Sequence, residues 1–329
     1  MGMMVEGSWR SGVDKLVDAS GALQRPSSVF RNWVTSDGAA GPTGEGGFKA
    51  EPGRYHLYVA RACPWAHRTT IFRELKGLQE HIGLSVTHWL MAEDGWTFNH
   101  GPGVIGDPVN GAEAVWQLYA KSEPGYTGRV TVPVLWDRQT SRIVSNESAD
   151  IIRMFNSAFD GAGASEGDYA PVELLADIDG LNERIYAGLN NGVYRAGFAR
   201  SQAAYDGAVA EVFETLDWLE ELLSWQTFLC GDRLTEADWR LFTTLMRFDA
   251  VYHGHFKCNI RRLVDYPALW SCTRELYAHP AVAPTVDLAH IKRHYYQSHR
   301  HINPTAVVPA GPEIDFTIAP DRAHAATWA

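Results

Sequence analysis

Cys63 is the residue in this chain best placed to do chemistry. It closes the stretch Arg54-Tyr-His-Leu-Tyr-Val-Ala-Arg-Ala-Cys63 and is followed at once by Pro64-Trp65-Ala66-His67-Arg68. The short apolar run reads as a strand, and an amphipathic helix pattern begins after it, so the thiol falls at a strand-to-helix turn. There the helix's unpaired N–H groups and positive dipole end favour a thiolate. Proline suits the first helical position, because the N–H it lacks would have had no intrahelical partner. Ala66 stands where a Cys-x-x-Cys pair would place its second cysteine. A lone activated thiolate forms a mixed disulfide that an outside thiol must resolve.

The elements that must hold Cys63 follow from the hydrophobic pattern. Residues 55–60 read as a strand and 64–78 as a helix, with Ile71, Phe72, Leu75 and Leu78 on one face. A second strand covers 84–91. A Gly/Asn/Pro-rich loop over 92–111, of a length often kept for function, leads to a helix over 112–121. Strands at 131–136 and 142–145 form a hairpin across the turn residues 137–141, and a helix over 148–159 closes the unit. The order β-α-β-α-β-β-α is thioredoxin-like. Pro133 sits where that arrangement places a cis-proline, at a strand start that need not donate to the ladder.

Four segments are expected: an extended Gly/Ser/Pro-rich arm over 1–50, the thioredoxin-like domain over 51–160, an all-helical domain over 170–300, and a proline-bearing tail over 301–329. The fold class is thus α/β followed by all-α. Helical patterns run over about 171–190, 200–224, 236–250, 260–278 and 286–297, with a capping-box signature at Thr235-Glu-Ala-Asp238. Tyr194, between Asn190-Asn-Gly192 and Ala196-Gly197, sits in a stretch too irregular for a helix interior.

Bulk properties narrow the class. A formal net charge of −10 argues against a nucleic-acid or anionic-membrane partner. The start of the chain lacks the basic n-region and apolar core of a signal peptide, and no apolar run approaches the roughly 18–20 residues of a membrane span. Four cysteines in 329 residues do not make a disulfide framework, which points to reduced thiols and a cytoplasmic protein. Cys230, Cys258 and Cys272 lack the context of Cys63 and read as packing. His290 and His294 share the i, i+4 spacing of helical zinc ligands. However, no Glu follows His290 and no Cys-x-x-Cys accompanies the pair, so no metal is expected.

Four motifs in order carry a family resemblance over nearly the whole chain: Ala62-Cys-Pro-Trp-Ala-His-Arg68, Asn191-Gly-Val-Tyr194-Arg-Ala-Gly-Phe-Ala199, Arg247-Phe-Asp-Ala-Val-Tyr252-His-Gly-His-Phe-Lys-Cys258, and His290-Ile-Lys-Arg-His-Tyr-Tyr296 with its Ser-His continuation. Together they resemble the glutathionyl-hydroquinone reductases, the Xi class of glutathione transferases. The resemblance implies glutathione as co-substrate, its sulfur facing Cys63, with the backbone of Val132 pairing to the tripeptide like an added strand. It places the γ-glutamyl end on Glu147 and Ser148, where a helix start can also hold the α-carboxylate. Trp96 and Arg129 would frame the same site. Tyr194 and Tyr296, with Tyr252, would hold the phenolic substrate through hydroxyl and ring.

The activity implied is removal of glutathione from an S-glutathionyl-hydroquinone through a Cys63–glutathione mixed disulfide, with glutathione disulfide released. The alternative is an omega-like monothiol thioltransferase or dehydroascorbate reductase built on the same thiol. Conjugation of glutathione and a non-enzymatic binding role are weaker readings. A homodimer is the usual family state.

Overall fold

The computed structural model describes residues 2–12 and 17–326. Residues 13–16 of the expected arm and 327–329 of the tail lie outside the described residues, as does Met1. The chain divides into two compact units. The first comprises Met1–Asp14, Pro26–Asp168 and Ala289–His294; the second comprises Lys15–Arg25, Tyr169–Leu288 and Tyr295–Ala329.

The first unit opens with a hairpin, β1 (Met3–Val5) and β2 (Ser8–Arg10), inside the segment expected to be a plain arm. Its turn needs Gly7, which holds φ +76°, and whose place a Cβ could not share with the Pro124 carbonyl oxygen. Met4 exchanges backbone hydrogen bonds with Gly128, and Met4, Val34 and Phe48 are buried, so the extended course is packed down.

The main sheet has the order β4-β3-β5-β6, built from β3 (Tyr55–Val59), β4 (Ile82–Val86), β5 (Val134–Asp137) and β6 (Arg142–Ser145). β3 runs parallel to β4 and antiparallel to β5. It is an inner strand with a partner along each edge, and every residue of it is buried. Helices α1 (Pro64–Leu75) and α3 (Ser148–Ser157) pack together, and α2 (Val115–Ser122) packs against β6.

Among the boundaries that differ from the sequence pattern, three in this unit have clear physical reasons. α1 stops at Leu75 rather than 78: Gly77 takes φ +61° and the Leu78 N–H reaches back to the Arg73 carbonyl at 2.8 Å. β4 ends at Val86 because its partner β3 ends at Val59; the apolar run beyond has no strand to pair with. β5 begins only at Val134, since Pro133, joined to Val132 by a cis peptide bond, has no N–H for the ladder.

The second unit is helical: α4 (Leu175–Ile185), α5 (Gly192–Phe198), α6 (Gln202–Leu223), α7 (Glu236–Arg247), α8 (Pro267–Ala278) and α9 (Leu288–Ser298). Of α9, Ala289–His294 groups with the first unit. Wide π-type turns at Tyr186–Asn190 and Phe248–Tyr252 follow α4 and α7. α8 starts at Pro267, not near 260, because the residue before a proline is held extended, here Tyr266 at φ −110° and ψ 95°.

Tyr194 lies inside α5, so the expectation of an irregular stretch there was incorrect. The glycines around it serve close packing rather than breaking the backbone. A Cβ on Gly188 would lie 2.0 Å from Thr215 Oγ1, and one on Gly197 2.2 Å from the Phe256 ring. The Thr235–Asp238 capping box is present, with the Thr235 N–H donating to Asp238 Oδ2 at 2.9 Å. Among its described residues the tail has no regular element after α9, but the buried side-chain pair Arg322–Glu275 at 2.5 Å ties it down.

Candidate active site

Cys63 is the N-cap of α1, with extended backbone at φ −76° and ψ 121° and Pro64 as the first helical residue. The chain leaves β3, turns with the Cys63 N–H donating to the Ala60 carbonyl at 3.0 Å, and enters the helix as the His67 N–H donates to the Cys63 carbonyl at 3.0 Å. The thiol is half-buried, and its Sγ donates to the Val132 carbonyl oxygen at 3.6 Å. Arg68, buried in the same helix, lays its guanidinium over the Trp65 ring at 4.5 Å.

A buried phenol fixes the segment opposite the thiol. Tyr119 donates its hydroxyl proton to the Thr131 carbonyl at 2.9 Å and accepts from Asn146 Nδ2 at 3.0 Å. Burial pushes this phenol above its usual acidity range, against the pull of Thr131 and Asn146, so it stays protonated and donating. Val132 and the turn into α3 are thereby joined through one side chain. At that turn Glu147, not Ser148, caps the helix. Its Oε1 accepts from the Ala149 N–H at 3.1 Å and its Oε2 from Ser28 Oγ at 2.8 Å. Ser148 is buried as the first residue of α3. Arg31 forms an ion pair with Asp150 in the same turn, Nη2 to Oδ1 at 2.9 Å.

Trp96 is buried in the 92–111 loop and stacks on the His294 ring, centroids 4.7 Å apart. The loop is tied back where Ile105 and Val86 exchange backbone hydrogen bonds. Arg129 is half-buried and follows Gly128, which Met4 of β1 holds; the Tyr126 hydroxyl donates to its carbonyl at 2.9 Å.

The second unit carries a cluster of phenols. Tyr194 from α5 and Tyr295 from α9 are hydrogen-bonded through their hydroxyls, and Tyr252, ending the π-turn after α7, meets the Tyr295 hydroxyl at 3.2 Å. Burial, with the neighbouring Tyr194 and Tyr252, pushes the Tyr295 phenol well above its usual range, so it stays neutral. Phe198 and Phe256 pack edge-on to each other beside the three rings, and Tyr252 stacks on Phe256 with centroids 5.5 Å apart.

Matches to family models for the glutathione S-transferase N-terminal and C-terminal domains cover residues 62–158 and 202–271. The glutathionyl-hydroquinone reductase YqjG of Escherichia coli is 55% identical over 317 residues, spanning 96% of this chain and 97% of the relative. This chain belongs to the glutathionyl-hydroquinone reductases. PcpF of Sphingobium chlorophenolicum, named for the same reductase activity, is 52% identical over 312 residues, covering 95% of this chain and 96% of that one. The glutathione-bound structure of the E. coli protein superposes with a TM-score of 0.91, covering 98% of this chain and 99% of that one at 52% identity. Glutathione transferase Xi of Phanerochaete chrysosporium gives a TM-score of 0.85 at 47% identity, over 91% and 100% of the two chains.

Within this reductase the residues named from sequence fall into separate groups. Cys63 and Val132 touch; Glu147 and Ser148 share a helix start; Tyr194 and Tyr252 share a phenol cluster. Tyr296 does not join that row. One residue on along α9 it turns toward His255, ring centroids 4.7 Å apart. The residue at the middle of the row is Tyr295, which the sequence reading passed over. A signal was present: Ile291, Tyr295 and His299 repeat every fourth residue and are all buried. His290 and His294 bind backbone carbonyls, of Pro102 at 2.6 Å and Trp89 at 2.8 Å. Among the described residues no group of three or more His, Cys, Asp or Glu could hold a metal ion, and no helix is long and apolar enough to cross a membrane. Burial pushes the thiols of Cys258 and Cys272 up to about 12, which leaves them inert at neutral pH.

Proposed function

We propose that Cys63 is the nucleophile of a glutathione-dependent reduction of S-glutathionyl-hydroquinones. Its thiolate attacks the glutathionyl sulfur, a Cys63–glutathione disulfide forms, and the sulfur–carbon bond breaks with its electron pair going to the ring. An aryl carbanion would be a poor leaving group. Attack therefore proceeds on the keto tautomer, from which the ring departs as an enolate and takes a proton to become the hydroquinone. A second glutathione thiolate attacks the mixed disulfide, releasing glutathione disulfide and restoring Cys63. The net change is one conjugate and one glutathione converted to hydroquinone and glutathione disulfide.

The observation that carries this reading is the position of the thiol, capping a proline-led helix and 3.6 Å from the carbonyl before cis-Pro133. Glutathione is the co-substrate, and no metal takes part. Val132 offers backbone to the tripeptide, Glu147 and Ser148 take its γ-glutamyl end, and Trp96 and Arg129 border it. Tyr194, Tyr252 and Tyr295 hold the ring oxygens and meet the enolate charge as neutral donors. Tyr296, the sequence's own choice, takes the lesser part beside His255. The working form is a cytoplasmic homodimer.

Intact-mass measurement after incubation with a glutathionyl-hydroquinone and no free glutathione tests the scheme. One glutathione on Cys63 and one hydroquinone released are expected; hydroquinone released with no adduct would refute it. A thioltransferase would turn over small disulfides or dehydroascorbate faster than the glutathionyl-hydroquinone.

A further inference from the structure

His290 and His294, four residues apart on α9, meet the segment around the 92–111 loop from one side of the helix. A carbonyl can only accept, so His294 Nδ1 donates to Trp89 at 2.8 Å and His290 Nε2 donates to Pro102 at 2.6 Å. The two bonds fix the segment before the loop and near its middle. The stretch Ala289–His294 groups with the first unit, although the rest of α9 does not. Between the two fixed points lies Trp96, whose backbone is held from elsewhere. Its carbonyl accepts from the Val115 N–H at 2.8 Å. The residue before it, Gly95, lies against the Trp9 ring of β2, which a Cβ would approach to 3.0 Å. Trp9 Nε1 also donates to the Glu93 carbonyl at 2.9 Å.

With that backbone fixed, the Trp96 indole still has its side-chain torsions to settle. The His294 imidazole stacks on it, with centroids 4.7 Å apart and planes at 25°. Both residues are nearly wholly buried, Trp96 at 8% exposure and His294 at 5%. So little of the indole is left for a ligand that its packing partner decides which part faces outward. The imidazole is itself anchored, because its Nδ1 proton is taken by the Trp89 carbonyl. His294 therefore acts on the indole through a ring held in one orientation.

We propose that His294 is a positioning residue: it sets the Trp96 indole at the border of the glutathione site without itself touching glutathione. The inference rests on the reading that Trp96 borders the tripeptide. The i, i+4 spacing that resembles a zinc pair is here the spacing of two carbonyl clips on one helix face. The glutathionyl conjugate and free glutathione occupy that site in turn. A misplaced indole therefore raises KM for both and leaves the saturated rate nearly unchanged.

The test measures glutathione affinity of the full-length protein by calorimetry, with steady-state kinetics on one glutathionyl-hydroquinone. The variants are His294→Ala, His294→Phe, His294→Asn, Trp96→Ala and the double variant His294→Ala with Trp96→Ala. His294→Ala is expected to weaken glutathione about five- to tenfold and to change kcat less than about twofold. His294→Phe keeps a ring on the indole and should stay within about threefold of the unaltered affinity. His294→Asn keeps only a donor for Trp89 and should lose nearly as much as the alanine variant. In the Trp96→Ala background, His294→Ala should weaken glutathione less than about twofold further, since the ring it positions is gone. Losses that multiply in the double variant, or no loss in His294→Ala, overturn the proposal. Trp96→Ala with unaltered glutathione affinity refutes the reading beneath it instead. If His294→Ala does not fold, the ranking of His294→Phe above His294→Asn decides, and the reverse ranking overturns the proposal.

Discussion

The thiol and the phenol row are assembled by different means. Cys63 owes its setting to its immediate neighbours: a strand end, a one-residue cap and a proline, with one carbonyl supplied from Val132. The phenol row draws Tyr194, Tyr252 and Tyr295 from three separate stretches of chain, and packing alone brings their hydroxyls together. A site made by local backbone geometry depends on the identity of one side chain. A site made by packing depends also on residues that never touch substrate, such as Gly197, where a methyl group would collide with Phe256.

The sharpest way to break that contrast is at the thiol. Cys63→Ala and Cys63→Ser are expected to lower reductase kcat/KM on the order of 10³-fold or more, since no second thiol stands at position 66 to substitute. Glutathione binding, measured by calorimetry, should change only a few-fold. Cys272→Ala should leave the rate near normal, because that thiol is buried and held protonated. Near-normal turnover by Cys63→Ala would end the nucleophile assignment.

The two units also differ in how pH acts on them. His56, buried under the sheet and bonded to Ser85 Oγ at 2.8 Å, is pushed by burial down to about 4. A base depressed in the folded state supports the fold above its unfolded value near 6.5 and loses that support as pH falls toward 4. The loss amounts to about 3 kcal/mol. Asp238, buried in the cap of α7, is pushed by burial up to about 6 despite the hydrogen bonds of Leu229 and Thr235. An acid raised in this way stabilises the fold below its ordinary value, and that contribution, again about 3 kcal/mol, is lost as pH rises through 6. Urea unfolding between pH 4 and 7 should therefore show His56→Gln flattening the acid side of the profile and Asp238→Asn flattening the opposite slope. Parallel slopes in either variant and the unaltered chain would remove that group from the account.

How much was legible in sequence follows the same division. The thioredoxin-like order, the cap at Cys63 and the box at Thr235–Asp238 are local patterns, and each has its counterpart in the structure. The early end of β4 depends on where β3 stops, which no local window records. The glycines at 192 and 197 read as disorder of pattern, yet they answer to Val212 and Phe256, the last nearly sixty residues from its glycine.

The adjacent pair on α9 sharpens the comparison at the smallest scale. Tyr295 and Tyr296 are chemically alike, and a helix turns them about 100° apart, so only packing decides which meets the phenol row. Tyr295 is nearly fully buried between Tyr194 and Tyr252, whereas Tyr296 is half-buried against His255. Removing the Tyr295 hydroxyl breaks both bonds of the row and leaves two hydroxyls without their shared partner. Tyr295→Phe should lower kcat about 10- to 100-fold with little change in glutathione affinity. Tyr296→Phe removes a hydroxyl outside the row and should stay within about threefold of the unaltered rate. Steady-state kinetics on one glutathionyl-hydroquinone reads both. The reverse ranking would move the site one residue along the helix, to the tyrosine the sequence motif first suggested.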